Sequence, residues 1–287
     1  MKDDSFYNFT TITRATNQSY HRAVSGGCIN SCYQLTTSTG LYFLKWNDAK
    51  KHPKMFEAEA KGLNILREKS SFTLPNVIAT GETSSQAWLL LEYISQQKPA
   101  STYWVNFGEK LAELHQNTQP NFGLSYNNYI GSIPQNNLPM ERGYDFFINH
   151  RILPVLNTAI ATGKMELGTA SLFEKLFMKL PDLLPDEPPA LLHGDLWSGN
   201  QQPDGSGNPC VFDPAVYYGF REAEIAFTHL FGGFNTSFYE SYHHSYPLLP
   251  NFKERIPIYN LYPLLVHVNL FGGGYAQQVQ QIIHAYR

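Results

Sequence analysis

The sequence predicts an α+β fold of two lobes, the first rich in β-strands and the second mainly helical. Short apolar segments separated by turn residues fill the first third, which is typical of strands. Beyond the polar segment 95–102, apolar positions recur at helical spacing. A chain of 287 residues is also long for a single hydrophobic core. We therefore expect a bilobal protein with lobes at 1–94 and 95–287.

Composition and charge argue against several classes of function. The chain is 43% hydrophobic and 16% charged, as expected of a packed globular protein. A net charge of −3 offers no basic surface for nucleic acid. No apolar run approaches the roughly 18 residues of a membrane span, and the acidic first residues lack the apolar core of a signal peptide. We expect a cytoplasmic protein with neither nucleic acid nor membrane as partner.

The three cysteines, Cys28, Cys32 and Cys210, are too few for a disulfide framework, which indicates a reducing compartment. Cys28 and Cys32 are four residues apart, but no second Cys/His pair completes a zinc site. We favour two ordinary thiols.

The first lobe is predicted to contain two strands joined by a Ser-Thr-Gly turn, then a helix, then two more strands. Their ranges are 28–37, 40–47, 54–68, 75–82 and 87–94. The second lobe begins with helices and includes a short hairpin-like insert. Its helices are predicted at 104–114, 144–160 and 165–180, and its strands at 190–195 and 208–214. Four prolines in 181–190 are expected to end the third helix.

Residues 191–200, Leu-Leu-His-Gly-Asp-Leu-Trp-Ser-Gly-Asn, place Asp195 and Asn200 five residues apart. Alone, the stretch could be a surface turn, because Asp and Asn are common turn residues. However, Asp213 ends the next predicted strand, and two strands joined by a turn can bring all three side chains together. Phosphoryl transfer uses such a set. We predict Asp195 as the base, and Asn200 and Asp213 as Mg²⁺ ligands.

Such a site also needs groups that bind the phosphates of ATP. Gly26 and Gly27 can expose backbone N–H groups to phosphate, although a plain hairpin turn is the alternative. Lys45 lies among apolar and aromatic residues of a strand, where a lysine is unusual. Its alternative role is that of an edge-strand lysine that prevents aggregation.

Helical periodicity separates two candidate partners of Lys45. Glu59 shares a helix face with Phe56, Leu63 and Leu66, so its carboxylate needs a buried cation. Glu57 lies on the opposite face with Lys61 at i+4, a pair that we interpret as solvated. We therefore predict a buried ion pair between Lys45 and Glu59.

The strand that ends near Ile94 leads into the hinge between the lobes. There, the backbone amides of Glu92 and Tyr93 are predicted to pair with adenine, with an ordinary core strand as the alternative. We interpret His115 as a structural histidine on a helix face. His193 is interpreted as orienting the loop through hydrogen bonds rather than transferring a proton.

The chain resembles the fructosamine/ketosamine-3-kinase family, in the aminoglycoside- and choline-kinase-like branch of the protein-kinase-like fold. The resemblance rests on "HGDLWSGN" and on "DPAVYYG" followed by "REAE". It extends from about residue 10 to 275 through "SGGCIN", "FLKWN", "FEAEAKGL", "GLSYNNYIGSIPQ" and "DFFINHRILP".

The resemblance implies ATP-dependent phosphorylation of the sugar 3-hydroxyl of ketoamines, which are sugar adducts of small amines or of protein lysines. The phosphorylated adduct breaks down, so the activity implied is deglycation. The resemblance also suggests that Trp197, Tyr217 and Arg221 contact the ketoamine, with core packing as the alternative for Trp197. Some family members carry a cysteine at the position of Cys28 that is associated with a disulfide, so a monomer and a redox-linked dimer both stay open.

Two residues depart from the family pattern Gly-His-Arg-Glu-Ala-Asp. Phe220 replaces the His, and Glu224 replaces the Asp that braces the catalytic loop in related kinases. A Glu can accept the same hydrogen bonds, but its extra methylene shifts the geometry. Two alternatives follow: a choline- or aminoglycoside-type kinase, and an inactive nucleotide-binding module. The presence of the predicted Lys, base and metal ligands argues against the second.

Overall fold

The computed structural model describes residues 18–23, for which the backbone alone is considered, and residues 30–286. Its first part is a five-stranded antiparallel sheet in the order β1-β2-β3-β5-β4. The strands are β1 (Gln18–Ala23), β2 (Ser31–Thr37), β3 (Gly40–Asp48), β4 (Val77–Glu82) and β5 (Gln86–Glu92). Helix α1 (Met55–Lys69) follows β3 and packs against β4 and β5. The predicted hairpin, helix and two strands are confirmed.

The sheet buries apolar side chains on both faces of its central strands. Leu90 joins Leu35 and Leu44 in a small cluster on one face. Its neighbours Leu89 and Leu91 point to the other face and enter the main core with α1. This explains why β5 is an uninterrupted apolar run rather than an alternating one.

The second part is mainly helical, as predicted. Its helices are α2 (Tyr103–His115), α3 (Gly143–Phe146), α4 (Leu153–Ala161), α5 (Thr169–Leu183), α6 (Arg221–Thr228), α7 (Thr236–Ser245), α8 (Phe252–Phe271) and α9 (Gly274–His284). A π-helical turn, Phe147–Ile152, joins α3 to α4. Helix α5 continues past Pro181. Pro181 has no N–H and so cannot donate its own helical hydrogen bond, but the Leu184 amide still donates to Leu180 O at 2.9 Å. The predicted end at 180 was therefore slightly early.

Six strands of three residues each lie within this helical part: β6 (Asn128–Ile130), β7 (Ile133–Gln135), β8 (Ala190–Leu192), β9 (Gln201–Pro203), β10 (Pro209–Val211) and β11 (Tyr217–Gly219). They form the antiparallel pairs β6–β7, β8–β11 and β9–β10. The two strands predicted here thus belong to different pairs.

The chain passes from β5 to α2 through residues 93–102. Contacts between the two parts include a parallel bridge between Thr73 and Cys210, and a hydrogen bond from Thr73 Oγ1 to Asp204 Oδ2 at 2.7 Å. The α+β fold is confirmed, and the division of the chain at residue 94 stays a prediction. Within the ranges that the structure describes, no helix combines the length and the hydropathy that a membrane crossing requires.

Candidate active site

Two loops form the centre of the site, and strand pairing sets them side by side. The first, residues 193–200, runs from β8 to β9, and the second, residues 212–216, runs from β10 to β11. Because β8 pairs with β11 and β9 with β10, the loops are held at both ends. Direct bonds also join them: the Ala215 amide donates to His193 O at 2.9 Å, and the Phe212 amide donates to Asn200 O at 3.1 Å.

Backbone conformation allows this close approach. Gly194 has a φ of 86°, and a Cβ at this position would lie 2.0 Å from Ala215 O. A side chain at Gly194 would therefore separate the loops. Asp213 has a φ of 57°, a left-handed conformation that Asp adopts more readily than most residues.

Asp195 is held by the residue five positions later. Asn200 Nδ2 donates to Asp195 Oδ2 at 2.9 Å and to its carbonyl oxygen at 2.8 Å. Burial, and then the nearby Asp213 carboxylate, raise the pKa of Asp195 to about 7 against the opposing effect of Asn200. A general base works best when its pKa is close to the ambient pH, so this carboxylate suits proton removal from a hydroxyl.

Lys45 joins the two parts of the molecule by bonding two carboxylates. Its Nζ lies 2.7 Å from Glu59 Oε1 and also contacts Asp213 Oδ1. Burial alone would lower the pKa of Lys45, but the two carboxylates raise it, so the ammonium stays charged. The predicted Lys45–Glu59 pair is confirmed, and so is the exposed Glu57–Lys61 pair at 2.7 Å.

The two predicted metal ligands fit a hard cation. Both N–H bonds of the Asn200 amide are used by Asp195, which leaves Oδ1 as the ligand atom. The Asp213 side chain, on the neighbouring loop, is 41% exposed and has carboxylate oxygens to offer. The described residues contain no cluster of three or more His, Cys, Asp or Glu arranged for a metal. Mg²⁺ characteristically takes one or two protein ligands together with substrate phosphates, so an Asn–Asp pair suffices.

Glu224, in the first turn of α6, braces the first of the two loops, residues 193–200, which is the predicted catalytic loop. Its carboxylate accepts from the Gly194 amide at 2.6 Å, the His193 amide at 3.0 Å and His115 Nε2 at 3.0 Å. Glu224 thus makes the hydrogen bonds to the loop that are expected of the family's Asp at this position, despite its longer side chain. Since His115 Nδ1 also bonds the Tyr242 hydroxyl at 2.8 Å, the structural interpretation of His115 is confirmed.

His193 has no position free for proton transfer. Its Nε2 donates to Phe212 O at 3.0 Å, and its Nδ1 accepts from the Asp195 amide at 3.3 Å. Burial lowers its pKa, so the ring is neutral. The first bond links the two loops and the second lies within the loop that carries Asp195, as the interpretation of His193 as an orienting residue requires.

The hinge differs from the prediction. The Glu92 amide donates to Asn76 O at 2.9 Å, and the Tyr93 amide donates to Leu41 O at 3.3 Å. Neighbouring chain segments thus use both N–H groups, that of Glu92 at the end of β5 and that of Tyr93 just beyond it. The prediction that these two amides face adenine is therefore wrong for this structure.

Trp197 and Tyr217, the other residues that the resemblance suggests for the ketoamine, lie in different surroundings, and their contact with an acceptor stays a prediction. Trp197 is half-buried, and its ring meets Phe231 edge-on at 6.1 Å between centroids. Tyr217 is buried beneath the guanidinium of Arg151, which lies 3.9 Å from its ring centroid. Tyr217 and Gly194 line a cavity of about 20 Å³, which is enough for one water molecule. The sequence analysis did not identify Arg151 as a neighbour of Tyr217. The single Arg in the largely apolar segment "FINHRILP" could have indicated a buried guanidinium.

Arg221 is buried and bonded to internal partners. It is 3% exposed, and it pairs with Glu187 at 2.6 Å while donating to the carbonyls of Tyr246 and Pro247 at 3.0 and 2.8 Å. The structure thus contradicts the substrate role suggested for Arg221, because internal partners take up its guanidinium.

Three predicted residues, Gly26, Gly27 and Cys28, lie outside the described residues. Burial raises the pKa of the Cys32 thiol to about 11, which agrees with an ordinary, unreactive cysteine at that position.

We expect Glu224→Gln to lower both kcat and stability. The Gln NH₂ group would face a loop amide, at a cost of about 1.5–3 kcal/mol. Burial would raise the pKa of Glu224, but hydrogen bonds from His115 and the loop hold it below the ordinary 4.5. The carboxylate's contribution is therefore complete above about pH 4.5 and is lost as pH falls through the lowered pKa.

Urea unfolding of both proteins as a function of pH measures this contribution. The difference in unfolding free energy should be the same at pH 7 and pH 5 and should shrink in stronger acid. Equal stability of the two proteins at pH 7 would show that the brace is unimportant.

Known proteins share this arrangement of sequence and fold. The fructosamine kinase family model matches residues 6–287. A probable ketoamine kinase of Synechocystis sp. is 39% identical over 279 residues, covering 95% of this chain and 93% of that protein. The chloroplastic protein-ribulosamine 3-kinase of Oryza sativa subsp. indica is 34% identical over 284 residues, covering 96% of this chain and 81% of the relative.

A solved structure has the same fold. A Haemophilus somnus protein described as a fructosamine-3-kinase superposes with a TM-score of 0.88 at 28% identity, over 97% of this chain and 96% of that one. Matches over nearly the full length, together with the paired Lys45 and Glu59 and the loop that holds Asp195, lead to one conclusion. The chain belongs to the fructosamine kinase family and is an ATP-dependent phosphotransferase.

Proposed function

We propose that this enzyme transfers the γ-phosphoryl group of ATP to the 3-hydroxyl of ketoamines, both fructosamine and ribulosamine adducts, and so acts in deglycation of metabolites or proteins. The observation that carries the proposal is the position of Asp195. Its half-buried carboxylate, with a pKa of about 7, lies two residues before the half-buried ring of Trp197. A base beside a flat apolar ring suits a sugar hydroxyl as acceptor.

Each residue of the site has a distinct part in this reaction. Asp195 accepts the proton of the 3-hydroxyl as its oxygen attacks the γ-phosphorus, and the bond from that phosphorus to the leaving ADP oxygen breaks. Lys45, fixed by Glu59, binds the donor phosphates. Asn200 and Asp213 would hold Mg²⁺, which neutralises phosphate charge.

The supporting residues keep the base in place. Asn200 orients the Asp195 carboxylate, and His193 ties the catalytic loop to the loop that carries Asp213. Glu224 fixes the two amides that precede Asp195. This preorganisation means that the base needs no rearrangement before proton transfer.

The nearest alternative is a kinase of the same fold for a choline- or aminoglycoside-type alcohol. The site centre would be unchanged in such an enzyme, since proton removal and phosphate binding are common to all of them. An inactive nucleotide-binding module is less compatible with the structure. Lys45, Asp195 and Asp213 are all present and lie within one electrostatic network.

An acceptor panel distinguishes these functions. ADP release would be measured with MgATP and, in turn, fructosyl-lysine, ribulosyl-lysine, choline and an aminoglycoside. We expect turnover with the two ketoamines, and ADP release without an acceptor should be small. Turnover of choline or the aminoglycoside alone would reject the ketoamine proposal. If none of the four acceptors stimulated ADP release, the result would point away from all of these kinases.

A further inference from the structure

Two short turns with the same sequence, Leu-Phe-Gly-Gly, meet next to Trp197. They occupy residues 230–233 and 270–273 and are followed by Phe234 and Gly274-Tyr275. All four glycines of the two turns have positive φ, from 66° to 103°. Phe231 itself has a φ of 58°, a conformation that is uncommon and strained for an aromatic residue. The turns therefore hold their aromatic rings in an imposed position.

The rings of these turns form a continuous cluster with Trp197. Phe231 lies 6.1 Å from Trp197, 4.8 Å from His267 and 6.3 Å from Tyr275, measured between centroids. His267 and Tyr275 are 5.1 Å apart. Phe231 is 39% exposed, and the other three rings are partly exposed, so the cluster faces solvent beside the catalytic loop.

His267 adds a hydrogen-bond acceptor to this cluster. Its Nδ1 lies 2.7 Å from Pro263 O, and a carbonyl can only accept, so Nδ1 carries the proton. Burial lowers the pKa of His267, so the ring is neutral and Nε2 is an acceptor. A neutral imidazole surrounded by aromatic rings offers an acceptor and π-faces, a combination that suits an organic ammonium group.

We propose that Trp197, Phe231, His267 and Tyr275 form an aromatic cage that binds the protonated secondary amine of the acceptor. This inference deepens the proposed function and rests on it. In a ketoamine, the amine is attached to C1 and is therefore two carbons from C3, the carbon whose hydroxyl Asp195 would deprotonate. With the sugar against Trp197, the amine reaches the ring of Phe231 that borders Trp197. The cage then selects amine-bearing sugars over free sugars.

Two acceptors that differ in one atom test the cage. These are 1-deoxy-1-methylamino-D-fructose and 1-O-methyl-D-fructose, in which an ether oxygen replaces the charged amine while the 3-hydroxyl is kept. We expect Phe231→Leu to raise the KM of the amino sugar about 3- to 10-fold and to leave that of the ether within about 2-fold. Leu keeps an apolar side chain on the same backbone but removes the π-face.

Phe234→Leu is the matched control. It makes the same change at the other end of the first turn, where the ring packs on Trp104, Phe107 and Phe238 instead of on the cage. This variant should leave the ratio of the two KM values at its wild-type value. Tyr275→Leu is the second cage variant, and it should reproduce the selective loss, which guards against a Phe231 variant that folds poorly.

Equal effects of Phe231→Leu and Tyr275→Leu on both sugars, or no effect on either, would overturn the cage. The result is separable from the proposed function. If the wild type phosphorylates choline and neither sugar, the ketoamine proposal fails. A rise in the KM of choline in Phe231→Leu, without one in Phe234→Leu, would still support the cage.

Discussion

Asp195→Asn is expected to lower kcat by roughly 10²- to 10⁴-fold, the usual contribution of a general base. The exchange is nearly isosteric, and the new amide oxygen can still accept from Asn200, whose Nδ2 lies 2.9 Å from Asp195 Oδ2. The loop should therefore keep its shape while it loses the group that accepts the proton. Steady-state kinetics with a ketoamine and MgATP would measure the loss.

Nucleotide affinity provides the control for this variant. In the proposed mechanism Lys45, held by Glu59, binds phosphate from the other part of the molecule, so the Kd of ATP should change little in Asp195→Asn. Wild-type kcat in the variant would exclude Asp195 as the base. An equal loss of ATP binding and kcat would instead indicate that the exchange had disrupted the whole site.

Lys45→Met is expected to abolish turnover and also to lower stability. The Lys45 side chain is 3% exposed and bonds Glu59, which is 10% exposed. Removing one member of a buried ion pair leaves an uncompensated charge and typically costs about 3–5 kcal/mol. Thermal or urea unfolding measures this cost, and the kinetics of the same preparation measure the loss of phosphate binding.

A second exchange separates these two effects. Lys45→Met combined with Glu59→Gln removes both charges, so it should regain much of the stability but none of the activity. Lys61→Met is the matched control, because the Lys61–Glu57 pair lies on α1, the helix that carries Glu59, but is half-exposed. It should change the unfolding free energy by no more than about 0.5 kcal/mol. A double variant that regained turnover would show that Lys45 is structural.

Much of the first lobe could be predicted because its patterns are local. In α1, a period of 3.6 residues separates Glu59 from Glu57 without knowledge of the partner strand, and the structure places both as expected. The proposed roles of Asp195, Asn200 and Asp213 followed from chemistry, since these residues occur in the order that phosphoryl transfer uses.

What could not be predicted depends on contacts between distant segments. The strands around the catalytic loop have three residues each, too few to show a period or a partner. Arg221 has the right sequence neighbours for a substrate residue, but Glu187, 34 positions away, binds it. Phe231 belongs to a turn and His267 to helix α8, and their rings meet only in the folded chain, 4.8 Å apart.

The hinge shows a different limit. An apolar strand that ends in Glu92-Tyr93 is readily predicted, but which amides are left for a ligand depends on how far the neighbouring segments extend. The bond from the Tyr93 amide to Leu41 O is decided by pairing across the sheet and not by the local sequence.

The central claim is that Asp195 directs the γ-phosphoryl group of ATP to the 3-hydroxyl of a ketoamine. It is tested most directly by ³¹P and two-dimensional NMR of the product formed from fructosyl-lysine and MgATP. The account predicts one new phosphomonoester coupled to the proton on C3 of the sugar with the wild-type enzyme, and none with Asp195→Asn. A phosphomonoester at another position, or the same product from Asp195→Asn at the wild-type rate, would contradict it.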